Sequence, residues 1–103
     1  MFVCIAGKNK CAVDAIKFLL CRKISRRRIL ALATDDDNGK DDWQPSLKKF
    51  AKENKIKITK LKKLYSIKNL FFFSLEYDKI INIKKFKTKN LFNFHLICLS
   101  FLK

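Results

Sequence analysis

The chain has 103 residues, which corresponds to about one small domain. Hydrophobic residues make up 49% of it, and this share excludes a compositionally disordered chain. The net charge of +15 would suit a nucleic-acid or anionic-surface partner, so a small basic binding module stays open as an alternative function. The lysines are spread over most of the chain, however, and a bias towards A/T-rich codons produces the same Lys-, Ile-, Asn- and Phe-rich composition, which makes nucleic acid the weaker reading.

Apolar runs and one amphipathic stretch alternate through the first third of the chain. Residues 2–6 form a continuous apolar run that stops at Gly7, which is typical of a strand buried on both faces. A helix is predicted next, with Asn9 as its N-cap, and residues 29–34 predict a second buried strand after a polar connection. The apolar stripe of the predicted helix consists of Ala12, Val13, Ile16, Leu19 and Leu20.

Shorter elements of the same two kinds follow the acidic loop at 35–42. Pro45 near a first turn predicts a second helix, and Leu61, Leu64 and Ile67 suggest a brief third one. Further strands are predicted at 56–58, 70–73 and 90–95, with a turn or helix around 80–86. This alternation predicts an α/β fold with a Rossmann-like parallel sheet of about five strands and flanking helices. Such sheets bind ligands at the carboxyl ends of their strands.

The sequence offers few ligands for a metal ion. The four cysteines form no C-x-x-C pair and His95 is the single histidine, so we expect no metal site. The acidic loop fails as a calcium-binding EF-hand, because aligning Gly39 with the invariant glycine puts Thr34 and Pro45 at positions that need carboxylates. We interpret the loop as a solvated turn.

The ends of the chain predict a cytoplasmic protein without a membrane partner. The amino terminus reaches Gly7 after a short apolar run with no charged segment before it, unlike a signal peptide. The apolar run at 91–102 is too short to span about 30 Å of hydrocarbon.

Asn93-Phe94-His95 carries the most chemical information. Two residues apart on a strand, Asn93 and His95 point to one side while Phe94 faces the other. At the carboxyl end of that strand, an imidazole base and an amide donor would lie together over the binding crevice, suited to removing a proton and steadying an oxyanion. The alternative is a lone histidine in an apolar tail.

The order of four segments resembles the sugar N-formyltransferases, a family related to methionyl-tRNA formyltransferase. The likeness covers residues 1–95, which correspond to the front part of a family member, and the Asn-x-His element is specific when it follows the Ser-Leu-Glu-Tyr segment. The segments are Phe2 to Asn9, Asp36 to Asp41 with Trp43 to Leu47, Ser74 to Ile81, and Phe92 to His95.

The resemblance implies transfer of a formyl group from 10-formyltetrahydrofolate to the amine of a nucleotide-linked amino sugar. His95 would be the general base, and Asn93 would hold the formyl oxygen. The wall of the folate pocket would be formed by Ser74, Leu75, Glu76 and Tyr77. The sugar-nucleotide side would be formed by Gly7, Lys8 and Asn9.

The sequence departs from the family after His95. The resemblance implies a Ser-Leu-Leu-Pro loop at this point and a catalytic aspartate further on, but residues 96–103 match neither. We expect residues 1–95 to be the front part of an incomplete catalytic domain, followed by an aberrant tail from a frameshift or a premature stop. Without the aspartate nothing would fix the tautomer of the imidazole, so we expect the chain to be inactive alone.

Overall fold

The predicted parallel sheet is confirmed. The computed structural model describes residues 1–41, 43–75, 77 and 81–94. Within these residues the sheet has five strands, which are β1 (Phe2–Gly7), β2 (Ile29–Ala33), β3 (Lys57–Ile58), β4 (Leu70–Leu75) and β5 (Asn90–Phe94). Every neighbouring pair is parallel, and the strand order is β3-β2-β1-β4-β5. The order reverses direction at β1, so the switch point lies between β1 and β4.

Within the described residues three α-helices connect the strands, and one predicted detail, the N-cap of the first helix, is wrong. The helices are α1 (Asn9–Cys21), α2 (Leu47–Glu53) and α3 (Leu61–Leu64), with short 3₁₀ helices at Arg26–Arg28 and Ile83–Lys85. Lys8, not Asn9, holds the N-cap position of α1, because the chain leaves β1 after Gly7 and becomes helical one residue early. Pro45 precedes α2, whose N-cap is Ser46 with its Oγ accepting a hydrogen bond from the Lys49 amide at 3.1 Å.

Two apolar cores lie on opposite faces of the sheet because successive strand residues point to opposite sides. One face is covered by α1 and α2, and its core includes Val3, Ile5, Val13, Ile16 and Leu47. The core of the other face includes Cys4, Leu30, Leu64, Phe72 and Phe86. Burial raises the pKa of the Cys4 thiol far above its usual range, so this cysteine behaves as a small hydrophobic residue.

Residues 95–103 lie outside the described part of the chain, so the predicted domain boundary at residue 95 and the aberrant tail stay predictions. Among the described residues, no helix has the length and apolar character needed to cross a membrane.

Candidate active site

The carboxyl ends of β1, β4 and β5 bring together residues that sequence analysis assigned to three different roles. Gly7 pairs with Leu75 across the switch point, and Ser74 pairs with Asn93 on the next strand. Cross-strand partners in a parallel pair project from the same face, so the buried Ser74 and the exposed Asn93 are neighbours on one side of the sheet. Residues from the predicted substrate, folate and catalytic sets therefore share one edge.

Gly7 is required by this arrangement for a steric reason. A Cβ atom at residue 7 would run into the backbone carbonyl oxygen of Leu75. The glycine thus lets the ends of β1 and β4 approach each other at the point where the chain leaves the sheet for α1.

Several predicted site residues cannot be placed. His95 and Glu76 lie outside the described residues, and so does the side chain of Asn9, whose backbone begins α1. Tyr77 is described: it is partly buried and packs against the core that contains Phe72. The catalytic pairing of Asn93 with His95 therefore stays a prediction.

A cavity of about 400 Å³ lies between the turn after β1 and the acidic loop; we call it the acidic-loop cavity. Lys8 lines it, and its ammonium lies 3.4 Å from the Asp36 carboxylate. Both side chains are largely exposed, so the ion pair contributes little to stability and leaves the ammonium accessible to an anionic ligand. The remaining lining residues are Thr34, Asp37, Asn38, Lys40, Asp41, Trp43, Gln44, Pro45 and Ser46.

Asp36 is held in its charged form by its neighbours. The buried Thr34 donates a hydrogen bond from Oγ1 to Asp36 Oδ1 at 2.5 Å, and this bond, followed by the one from Lys8, lowers the pKa of the Asp36 carboxyl. The carboxylate consequently keeps Lys8 positioned at the mouth of the acidic-loop cavity.

Asp37 organises the acidic loop from within. Its Oδ1 accepts hydrogen bonds from the Gly39 amide at 3.0 Å and the Ser46 hydroxyl at 2.5 Å, while Oδ2 accepts from the Lys48 amide at 3.1 Å. Gly39 has a φ of 79°, the left-handed region that suits glycine. The Asp37 carboxylate thus connects the loop to the start of α2. The loop is therefore more ordered than the predicted solvated turn.

A larger cavity of about 760 Å³ lies at the carboxyl ends of β2 and β3; we call it the Tyr77 cavity. Thr34 lines this cavity as well as the acidic-loop cavity, so the two flank the end of β2. Its walls combine the rings of Tyr65 and Tyr77 with three lysines, Lys48, Lys60 and Lys62. Aromatic faces beside ammonium groups suit a flat ligand that carries negative charge.

Within the described residues, no group of three or more His, Cys, Asp or Glu side chains is arranged to hold a metal ion.

The comparisons with known proteins show which solved structures the chain resembles. No protein-family model matches the sequence, and a search of curated proteins found no match. Among solved structures, the chain is similar to WlaRD, a sugar 3N-formyltransferase in the presence of dTDP and 5-N-formyl-THF, with 45% identity and a TM-score of 0.89 over 92% of this chain. It is also similar to the N-formyltransferase from Helicobacter canadensis in complex with folinic acid and dTDP-3-aminofucose, with 39% identity and a TM-score of 0.87 over 90% of this chain. Over about nine tenths of its length the chain is thus similar to sugar N-formyltransferases.

The chain spans only 35% of the length of either matched structure. The resemblance stated from the four sequence segments is confirmed by these matches, and the parallel sheet agrees with it. The alternative of a small basic binding module receives no support from either match.

Sequence analysis missed Thr34, Thr59 and Asp36 as lining residues. Thr34 and Thr59 directly follow β2 and β3, and both line the Tyr77 cavity. The sequence signal that could have found these two threonines is a polar residue immediately after a predicted parallel strand. Asp36 carries no comparable signal, because the sequence holds several acidic residues in a row and only the fold shows which one meets Lys8.

Proposed function

We propose that this chain forms part of the site in which a formyl group passes from 10-formyltetrahydrofolate to the amine of a nucleotide-linked amino sugar. The observation that carries the proposal is the position of Asn93 beside Ser74 at the carboxyl edge, next to the switch point between β1 and β4. In such a site the sugar amine attacks the formyl carbon, while the Asn93 amide donates a hydrogen bond to the formyl oxygen as negative charge develops there. His95 accepts the proton that the amine loses and returns it to folate N10 as the bond between N10 and the formyl carbon breaks, which releases tetrahydrofolate.

The sugar-nucleotide side of the proposal rests on the acidic-loop cavity. Lys8 directly follows the end of β1 and lines this cavity. Because its ion pair with Asp36 is exposed to solvent, the Lys8 ammonium can leave the carboxylate and bind a phosphate oxygen instead. The matched structures were determined with dTDP and with dTDP-3-aminofucose, and both of these ligands carry a negatively charged diphosphate. We assign the diphosphate of the nucleotide to Lys8.

The folate side of the proposal rests on the segment at 74–77. Tyr77 lines the Tyr77 cavity, and Ser74 lies one strand away from Asn93 in register. Both matched structures were determined with the same formyl-folate, named 5-N-formyl-THF in one and folinic acid in the other. Its ring system and its carboxylates suit the aromatic and lysine walls of that cavity.

Formyl transfer by these 103 residues alone should be negligible. They span 35% of the length of either matched structure, and a site that is not fully enclosed leaves the reacting groups open to water. A cytoplasmic location is part of the same proposal. Purified chain, incubated with the formyl donor and dTDP-3-aminofucose, should give no more product than the buffer.

Ligand binding tests the proposal without requiring turnover. Folinic acid and dTDP should each raise the Tm of the pure chain in a dose-dependent way, because a ligand that binds the folded state stabilises it by mass action. Lys8→Met should reduce the effect of dTDP and leave that of folinic acid unchanged. Lys52→Met, on the exposed surface of α2, is the matched control. Absence of any shift at millimolar concentrations of both ligands contradicts the proposal.

A further inference from the structure

Exposed basic side chains gather at the amino ends of the strands, opposite the candidate active site. All five strands are parallel, so the segments that precede them meet at one end of the sheet. At least one exposed cation stands just before each of β2, β3, β4 and β5. The set, here called the amino-end cations, consists of Arg26, Arg27, Arg28, Lys55, Lys68 and Lys89.

Hydrogen bonds connect the first of these segments to its neighbours. Arg26 donates from Nε to the Asn54 carbonyl at 2.9 Å, and Asn54 directly precedes Lys55. Arg28 donates from its guanidinium to the Met1 carbonyl at 3.2 Å. The arginine segment therefore lies between the segment before β3 and the start of β1.

The band continues to the other side of β1. The Phe2 amide donates to the Asn69 carbonyl at 2.7 Å, and Asn69 directly follows Lys68. Lys89 directly precedes β5, which pairs with β4 in parallel. With neighbouring strands about 5 Å apart, the amino-end cations form a band roughly 20 Å long across the sheet.

The positive charge also extends across the thickness of the domain. Exposed Arg22 and Lys55 follow the ends of α1 and α2, which cover one face of the sheet. Exposed Lys87 directly follows Phe86, which belongs to the core of the other face. This end of the molecule is therefore a broad cationic surface and not a single row.

The carboxylates do not neutralise this surface. Among the described residues, none of the amino-end cations forms an ion pair. The described carboxylates of the acidic loop follow β2 at the opposite end of the sheet, and Asp14 is paired with Lys10. Glu53 ends α2 near the cations, but its Oε2 lies 4.0 Å from the Lys49 ammonium. A bias towards A/T-rich codons accounts for abundant lysine but not for this separation of charge, nor for all four arginines lying at one end.

Two large apolar side chains are exposed at the same end. Phe2 opens β1 and is 38% exposed. Phe18 lies in the last turn of α1, which must end at the amino side because β1 and β2 are parallel; it is 45% exposed, with the Arg22 guanidinium 5.2 Å from its ring centre. Exposed aromatic residues among cations are typical of surfaces that lie on anionic membranes.

We propose that the amino-end cations bind the protein to an anionic membrane surface, with Phe2 and Phe18 entering the interface. A membrane presents a broad layer of phosphates, which matches cations drawn from both sides of the sheet, whereas a single nucleic-acid strand is bound along a groove. This contact requires no membrane-spanning segment, and it replaces the expectation, drawn from the ends of the chain, of no membrane partner. The carboxyl edge then faces away from the membrane, so the inference is independent of formyl transfer.

Sedimentation of the full chain with lipid vesicles tests this inference. The probe is phosphatidylcholine vesicles containing about one third phosphatidylglycerol, and vesicles of phosphatidylcholine alone are the comparison. We expect the chain to sediment with the anionic vesicles only. The partition coefficient should fall about tenfold or more when the ionic strength is raised from about 0.1 to about 0.5 M, because salt screens the attraction.

Charge reversals locate the surface. Arg27→Glu and Lys68→Glu, in two different segments, should each lower the partition coefficient about fivefold or more, because each basic residue near an anionic membrane contributes about that factor. Lys63→Glu is the matched control: it changes the net charge equally, but Lys63 is exposed on α3, which follows the carboxyl end of β3. Its partition coefficient should stay close to that of the wild type.

An uncharged substitution tests the apolar contribution separately. Phe18→Ser leaves the net charge unchanged and should lower the partition coefficient about fivefold, because it removes an aromatic ring from the interface. Circular dichroism of each variant reports whether it is folded, and the three positions lie on different segments, so a folding defect at one leaves the others informative.

Three results would overturn the inference. One is the absence of sedimentation with the anionic vesicles, and another is a loss for Lys63→Glu as large as for Arg27→Glu and Lys68→Glu, which would reflect net charge alone. The third is tighter binding to a single-stranded oligonucleotide than to the vesicles at equal phosphate concentration, with no effect of Phe18→Ser, because the partner would then be a nucleic acid.

Discussion

At Gly7 the carboxyl ends of β1 and β4 approach more closely than a side chain permits. Gly7→Ala would place a methyl group against the carbonyl of Leu75, and neither backbone can yield without disturbing the register of the two central strands. We expect a loss of about 1–3 kcal/mol in the free energy of unfolding, measured by urea denaturation. Gly39→Asn is the contrasting variant, because asparagine tolerates the φ of 79° there and the surrounding space is open, so its effect should be small. A Gly7→Ala protein as stable as wild type would show that the strand ends have room to separate.

The acidic loop gives stability a dependence on pH. Hydrogen bonds from Thr34 and then Lys8 lower the pKa of Asp36, and those from Lys49 and then the Ser46 amide lower the pKa of Asp41. A carboxyl with a lowered pKa in the folded state stabilises the fold above its unfolded pKa of about 4, and that contribution is lost as the pH falls through the folded value. The urea midpoint should therefore decline below about pH 4, modestly because both carboxylates are exposed.

Asp41→Asn should make the urea midpoint decline less as the pH falls below about 4. Added salt should have the same effect on the wild type, because salt screens exposed ion pairs. Glu53→Gln is the control, since its oxygen lies 4.0 Å from Lys49 and its carboxylate is exposed. A urea midpoint that stays constant from pH 6 to pH 3 would show that the loop contacts do not persist in solution.

At the scale of elements, β5 is attached to the sheet by a buried threonine as well as by strand pairing. Thr88, 3% exposed, donates from Oγ1 to the Leu70 carbonyl at 2.6 Å and accepts from the Asn90 amide at 3.2 Å, which joins the starts of β4 and β5. Thr88→Val keeps the shape and removes both hydrogen bonds, leaving a buried carbonyl with one partner fewer. We expect a cost of about 1–3 kcal/mol and faster amide hydrogen exchange in β5 than in β1.

Thr59→Val provides the comparison for this substitution. Thr59 is also buried, but its hydroxyl makes only a long hydrogen bond of 3.4 Å to the Lys60 carbonyl, so the effect should be smaller and confined to the region of β3. Equal exchange rates in β5 of Thr88→Val and of the wild type would mean that strand pairing alone holds β5 in place.

The elements differ in how far the sequence could predict them. β1 and β2 could be predicted because a strand covered on both faces is a continuous apolar run, as at Val3 to Ala6. The order of the strands could not be predicted, because no residue near Leu70 in the sequence distinguishes pairing of β4 with β1 from pairing of β4 with β3. The start of α1 was predicted one residue late, since Asn9 is a good capping residue by type and the backbone after Gly7 had already turned.

At the scale of the whole molecule, the position of a residue within one strand could be predicted from the sequence. A contact between two loops that are distant in the sequence could not. Asn93 was assigned from the spacing within one strand and from the resemblance. It pairs with Ser74 at the carboxyl edge, and its catalytic role stays a prediction. The acidic-loop cavity depends on Lys8 and Asp36, which are 28 residues apart and meet only because β1 and β2 are adjacent.

The central claim is that ligands bind at the carboxyl edge of the sheet. Two-dimensional NMR of the isotopically labelled chain, titrated with folinic acid, tests this claim most directly. The amides of Ser74, Leu75, Tyr77 and Asn93 should shift on titration, while those at the opposite ends of the same strands, such as Leu70 and Asn90, should not. Saturable shifts confined to the carboxyl edge are the predicted result. Shifts centred on the amino ends of the strands, or none at millimolar ligand, would contradict it.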